Sequence, residues 1–341
     1  MRRPTIADIA RRAGVSQAAV SFALNGRPGV SAATRERILA AADALGWQPN
    51  TAARSLSAAA AGAVGLAVAR PARTLGVEPF FMQLISGIQA ELSERGHALL
   101  LDLVEDVHAE AAVHRRWWAE RRVDGVLLVD LRTGDPRPEV LREIGMPAVL
   151  AGGPDPTGAV PGVWVDDARA MTAVVEHLHG LGHERLAHVS GPPGMEHSAH
   201  RAEAFAAAAG TGAARAATDF SDTEGAVATR GLLRRRPRPT AIVYDNDVMA
   251  VAGLSAARQA GLSVPGDLSV VAWEDSALCR LTHPTLTALS RDAFRFGAAA
   301  AARLLDLVQR GPGGGAAGDT EFELPELVVR ESTAPPRPNG G

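Results

Sequence analysis

The sequence predicts a small all-α head joined to a larger α/β body of parallel sheets. Three observations predict it. Residues 5–45 carry apolar side chains at helical spacing, interrupted twice by short polar turns. From residue 64 onward, short apolar runs alternate with amphipathic stretches, as parallel strands covered by helices on both faces require. Charge divides at the same place. Through residue 60 eight arginines face only Asp8, Glu36 and Asp43, a balance of +5 that leaves −8 for the rest of a chain with net charge −3. The chain has no lysine, so every such cation is arginine. A basic head on an acidic body points to a phosphate-bearing partner for the head.

Within the head, Thr5 caps a first helix with Asp8 three residues on, as a capping box places them. Ile6, Ile9, Ala10 and Ala13 give that helix its apolar side, and Gly14-Val15 ends it. Ser16 caps a second helix on which Ala19, Val20 and Ala23 face back, and Asn25-Gly26 stops it. Two short helices joined by a turn containing glycine form a helix-turn-helix, whose second helix enters the major groove of DNA. Ser31 caps a third helix with Ile38, Leu39, Ala42 and Leu45 as its buried stripe. After Pro49-Asn50 the segment TAARSLSA reads as a short helix, too short to hold its shape without support. The small-residue run at 58–63 links head to body.

In the body, residues 64–68, 98–101, 126–129, 148–151, 186–190, 241–244 and 268–273 read as strands, with TEFELPELVVR as another near the end. Ligands in such folds bind at the carboxyl ends of the strands. With 341 residues there is room for two or three domains, and no apolar run approaches a membrane span. No secretory signal is read after Met1, and the single cysteine, Cys279, excludes an intrachain disulfide. These features fit a cytoplasmic protein that makes no membrane contact. Enzyme motifs fail on context. Gly313-Gly-Gly315-Ala-Ala-Gly318 has the glycine spacing of a dinucleotide loop, but it follows a helix and precedes a strand, the reverse of what that loop needs. His177, His179 and His183 are split by the helix end at Gly180-Leu-Gly182, so no metal, no cofactor and no catalysis is expected.

Thr5-Ile-Ala-Asp-Ile-Ala, Ala13-Gly-Val-Ser, Val20-Ser, Leu24-Asn and Pro49-Asn-x-x-Ala-Arg-x-Leu56 together resemble the head and hinge of the lactose/galactose-repressor (LacI/GalR) family of bacterial transcriptional regulators. The resemblance runs to about Thr333. It implies a helix-turn-helix head with hinge helix over residues 1–58 and a two-lobed, periplasmic-binding-protein-like body over 62–333. Lobe 1 would comprise 62–161 plus 291–320, and lobe 2 would comprise 162–290 plus 321–333, leaving 334–341 as a disordered tail. It implies a repressor that binds a palindromic operator as a homodimer, since no leucine heptads follow Thr333 to build a tetramer. By family position Gln17, Ala18 and Phe22 face base edges, while Ser16, Ser21, Asn25 and Thr34 suit phosphates and Thr5 is also expected among the DNA-binding residues. Many relatives carry arginine in place of Phe22. In the hinge, Asn50, Ala53 and Arg54 approach the duplex and Leu56 wedges into its minor groove.

The same resemblance implies an effector cleft. Phe80 and Phe81 follow Glu78-Pro as its aromatic wall, and Ser198-Ala-His-Arg201 supplies an anchoring guanidinium. Tyr244-Asp-Asn246-Asp247 supplies an amide. In Ala272-Trp273-Glu274-Asp275, Glu274 stands where relatives carry aspartate. Trp164 and Asp166 complete the set. Carboxylate, amide and guanidinium groups flanked by rings suit a polyol, so a sugar is the first choice of effector and a nucleobase or nucleoside the second. A solute-binding protein without regulatory action is the remaining alternative.

Overall fold

The computed structural model describes residues 4–47, 60–70, 75–76, 78–210, 212–311 and 318–337. The chain forms two compact units, Met1–Ala61 and Gly62–Gly341. Asn50, Ala53, Arg54 and Leu56 of the expected hinge lie outside the described residues, as does most of the glycine-rich loop at 313–318.

The head consists of α1 (Ile6–Ala13), α2 (Gln17–Leu24) and α3 (Ala32–Ala44). The Asp8 carboxylate accepts the Thr5 backbone N–H at 2.9 Å and the Thr5 hydroxyl at 2.6 Å. Gly14 ends α1 at φ 62°, a left-handed conformation that favours glycine. Ser16 and Ser31 cap α2 and α3 by accepting from Ala19 and Thr34. Ile9, Val20 and Ile38 meet at full burial with Ala10, Ala13, Ala23, Ala41 and Ala42 around them. Small residues let three short helices approach closely enough to exclude water. The buried stripe of α3 runs through Ala41 rather than Leu39, which is 47% exposed.

The body contains two six-stranded sheets. The first has the order β11 (Thr320–Glu321), β5 (Gly162–Trp164), β4 (Ala148–Ala151), β3 (Gly125–Leu128), β1 (Ala63–Val68), β2 (Ala98–Leu103). The second has the order β12 (Glu326–Val328), β10 (Thr287–Ser290), β9 (Ser269–Trp273), β8 (Ala241–Tyr244), β6 (Leu186–Ser190), β7 (Ala214–Ala217). All pairs are parallel except β10 with β12. Helices α4 (Pro79–Glu94), α5 (Val107–Ala119), α6 (Arg137–Ile144) and α12 (Ala293–Arg310) belong to the first lobe. Helices α7 (Asp167–Gly180), α8 (Glu196–Ala209), α9 (Asp222–Leu233), α10 (Asp247–Gln259) and α11 (Ala277–Leu281) belong to the second. In lobe 1, α4 and α12 meet backbone to backbone. A Cβ on Gly87 would stand 1.9 Å from the Phe294 carbonyl oxygen, and one on Gly297 would stand 2.2 Å from that of Leu84.

In the body, four expectations change. The first crossing lies after Trp164 rather than at Pro161, because Gly162 and Val163 pair with Leu150 and Ala151 and Asp319 holds the Gly162 N–H at 2.7 Å. The stretch expected as a single terminal strand divides into β11 and β12, one in each sheet. Residues 334–337, expected in a disordered tail, are held on lobe 2, where Ala334 N–H donates to Ser269 Oγ at 3.2 Å and Arg337 pairs with Asp267 at 2.9 Å. Finally, β2 is an edge strand covered on fewer sides than expected, with Leu101 43% and Leu103 38% exposed. The histidines serve packing, with His183 Nδ1 and Thr240 Oγ1 sharing a hydrogen bond at 2.9 Å and His177 Nε2 lying 3.2 Å from Thr333 Oγ1.

Candidate functional site

On the head, α2 divides the expected DNA-facing residues by availability. Gln17 and Ala18 are exposed on its first turn. Phe22 is 39% exposed, and one side of its ring lies against the 26–30 loop, where a Cβ on Gly29 would stand 3.3 Å from it. The exposed part of the ring is available to an apolar partner. The smaller donors are engaged within the chain. The Asn25 side-chain amide donates to the Ser21 carbonyl at 2.9 Å, Thr34 Oγ1 meets Ser31 Oγ at 2.9 Å, and Thr5 and Ser16 hold helix ends. Arg35 is a brace, since its two terminal nitrogens donate to the carbonyls of Ala23 and Arg27, each at 2.8 Å. Arg12, Arg27 and Arg37 are exposed.

In the body, a cleft of about 80 Å³ forms where strands of both sheets end. Five expected residues line it: Phe80, Phe81, Arg201, Asn246 and Glu274. Phe80 and Phe81 open α4 and meet edge to face at 5.5 Å. Trp273 lies one layer behind, with the Arg201 guanidinium 4.2 Å above its ring. Asn246 is more committed than its composition suggests. Its Oδ1 caps α10 by accepting Met249 N–H at 2.8 Å, and its Nδ2 donates to the Phe220 carbonyl at 3.0 Å. That second bond seats Phe220 in the cleft wall. Trp164, Asp166 and Ser198 are not in the lining. Trp164 belongs to β5, Asp166 caps α7 by accepting Arg169 N–H at 2.8 Å, and Ser198 is buried on α8. The neighbouring Asp167 takes the place expected of Asp166.

Three arginines dominate the cleft, and two of them were not anticipated. Arg70 donates to Glu78 at 2.8 Å and to Asp130, and sits 4.9 Å from the Phe81 ring and 4.8 Å from that of Phe220. Arg201 donates to Asp167 at 2.9 Å. Arg291 pairs with Glu274 and lies 4.7 Å from the Phe80 ring. Planar guanidinium on ring faces, fixed by carboxylates, leaves these cations little freedom. Asp130, Phe220 and Glu274 all line the cleft with left-handed backbones, at φ 53°, 71° and 74°. Each such non-glycine residue costs on the order of 1–3 kcal/mol and is held by the surrounding structure.

The electrostatics follow from burial. Burial pushes the Glu78 carboxyl up to about 7, against the pull of Arg70. It pushes the His197 imidazole down to about 4, with Arg201 adding to the effect, so that ring is neutral at physiological pH. Asp245 stays well below the usual carboxylate range despite burial, because His188 and Arg201 stabilise its charge. His188 Nε2 lies 2.7 Å from Asp245 Oδ1 and the Gly191 N–H donates to Oδ2 at 2.9 Å. Two buried atoms of the lining residues have no hydrogen-bond partner among the described residues, Asp167 Oδ1 and Arg291 Nε.

The lobes touch directly beside this site. Thr133 N–H donates to the Gly194 carbonyl and Glu196 N–H to the Leu131 carbonyl, both at 2.9 Å, with Arg132 opposite Met195. Arg70 of lobe 1 packs on Phe220 of lobe 2. The strand-end rule points to Arg70, Asp130, Asp245 and Arg291, each just after β1, β3, β8 or β10. No local signal marks Phe220.

A helix-turn-helix head followed by a two-lobed body with a polar, ring-lined cleft defines a DNA-binding regulator with a small-molecule sensor. Residues 5–50 match the model of bacterial regulatory proteins of the lacI family, and residues 175–333 match the periplasmic binding protein-like domain. The transcriptional regulator CelR of Thermobifida fusca is 33% identical over 90% of this chain and 92% of its own. MalR of Streptomyces coelicolor is 35% identical over 96% of each. Among solved structures, the lac repressor dimer bound to operator and an anti-inducer is 26% identical with a TM-score of 0.84, covering 98% of this chain and all of that one. A CelR–cellobiose complex is 30% identical with a TM-score of 0.73, covering 97% and 100%. The chain belongs to the lacI family of bacterial transcriptional regulators.

Proposed function

We propose that the protein binds an approximately palindromic operator as a homodimer in the cytoplasm, represses transcription there, and is released or retained by a sugar seated between its lobes. Gln17, Ala18 and Phe22 read the half-site. Gln17 can pair with an adenine edge, and the exposed part of the Phe22 ring suits a thymine methyl. The exposed apolar edge of β2 offers a surface that a second copy would cover. Leu56, outside the described residues, is assigned the minor-groove wedge at the operator centre.

The observation that carries the sugar reading is the cleft itself, where rings from both lobes flank carboxylates, an amide and guanidinium groups. Such a lining satisfies many hydroxyls while stacking on a sugar face. The cellobiose bound by CelR favours a sugar over a nucleobase. The DNA-binding head disfavours a solute carrier. At about 80 Å³ the cleft is smaller than the ~300–1,000 Å³ of most ligand sites, so entry of a sugar parts the lobes. Differential affinity for the parted and closed forms is then what an effector uses to shift DNA binding, and the coupling is reciprocal.

Selection of bound sites from random DNA, with and without a panel of sugars and nucleosides, tests this. A two-fold symmetric consensus whose occupancy changes with one sugar is the expected result. An asymmetric consensus would end the dimer reading, and a response confined to nucleosides would end the sugar reading. Leu56→Ala is expected to reduce both operator affinity and bend angle.

A further inference from the structure

The cleft arginines would ordinarily suggest an anionic ligand. Their pairing argues the opposite. Arg70 is claimed by Glu78 and Asp130, Arg201 by Asp167, and Arg291 by Glu274. Two further carboxylates, Glu196 and Asp245, also line the cleft. Six acids against three arginines leave the lining with a charge between −2 and −3 near pH 7, where Glu78 is part-protonated and the one histidine there, His197, is neutral. Phosphate or carboxylate entering this site would meet guanidinium groups already bidden for, inside walls of low dielectric where like charges repel strongly.

What the lining lacks is one donor and one acceptor. Asp167 Oδ1 needs a hydrogen, and Arg291 Nε–H needs a lone pair. A hydroxyl supplies both kinds of partner. An ammonium satisfies Asp167 and also offsets the excess negative charge.

We propose that this cleft selects uncharged or amine-bearing polyols and rejects their phosphorylated and acidic counterparts, with Asp167 and Glu274 setting that choice by occupying Arg201 and Arg291. The proposal rests on the sugar reading above and narrows it. Occupied arginines make the site a reader of hydroxyl geometry. Freed arginines would turn it toward anions.

Isothermal titration of the full chain with neutral mono- and disaccharides, and with glucose 6-phosphate, glucuronate and glucosamine as charged counterparts of glucose, tests the proposal. Neutral or amino compounds are expected to bind, with the phosphate and the uronate at least 100-fold weaker. Asp167→Asn and Glu274→Gln, which release Arg201 and Arg291, are each expected to narrow that ratio at least tenfold. Glu274→Gln keeps the side chain's shape, so it remains informative if Asp167→Asn folds poorly. Equal binding of neutral and phosphorylated sugars, or a ratio unmoved in both folded variants, overturns the proposal and leaves the sugar reading standing. Binding of adenosine or guanosine with no response to any sugar removes both.

Discussion

Arg12, Arg27 and Arg37 on the head stand exposed, whereas in the body Arg70 and Arg201 are buried and Arg291 is mostly covered, each against a carboxylate and a ring. The side chain is the same and its use differs with solvation. An exposed guanidinium keeps its charge for a partner outside the chain and contributes little to stability. A paired guanidinium away from solvent keeps its charge but commits it to an acid within the chain, and removing it strands the acid left behind. Arg35 stands between these extremes as a head arginine spent on two carbonyls.

The largest effect should come from Arg201→Ala. Loss of the cation over Trp273 leaves Asp167 uncompensated, and urea unfolding of the body should show a loss of about 3–5 kcal/mol. A change as small as that of an exposed head arginine would break the comparison. Next is Glu78→Gln, read against pH. The folded carboxyl titrates near 7 instead of its usual 4.5, so the folded chain holds this proton more tightly than the unfolded one. Its contribution is therefore complete below pH 4.5 and is lost as pH rises through 7. From pH 8 to pH 5, wild type should gain about 1–3 kcal/mol over Glu78→Gln, as denaturation midpoints across that range would show. A flat difference would mean that Arg70 holds Glu78 ionised throughout.

Arg35→Ala should cost the head about 1–2 kcal/mol through two lost charge-assisted hydrogen bonds, measured by thermal unfolding followed by circular dichroism. The smallest stability effect is expected for Arg12→Ala combined with Arg27→Ala, within about 0.5 kcal/mol. That pair should still lower the salt slope of DNA binding by about 2 when affinity is titrated against ionic strength. An unchanged slope would assign these two arginines to plain solvation.

Much of this fold was legible in the sequence because periodicity reports on covered faces. The head helices and their caps at Thr5, Ser16 and Ser31 follow from local rules, as do the seven body strands read from apolar runs. The strands that escaped, β5, β7 and β10, are short, and their pairing is decided by distant partners such as Asp319 for Gly162. The cleft was half legible. Arg201 and Phe81 sit in segments that resemble family motifs, and the resemblance supplied their place. Arg70 and Phe220 are 150 residues apart in the chain and meet only when the lobes do, so no window of sequence contains their contact. Asp166 and Asp167 show a finer limit, since which of two adjacent carboxylates faces a ligand depends on where α7 begins.

The seam between Gly87 and Gly297 has a consequence for how lobe 1 can answer a ligand. Because α4 and α12 touch main chain to main chain, no cushion of side chains lies between them to absorb a displacement. The first of these helices carries Phe80 and Phe81 in its first turn, and the second begins at Ala293, just after Arg291. A nudge delivered to any of those three residues reaches both helices at once, as a load on two meshed gear teeth turns both wheels. Lobe 1 should swing as one stiff lever, without local give at the ligand's edge.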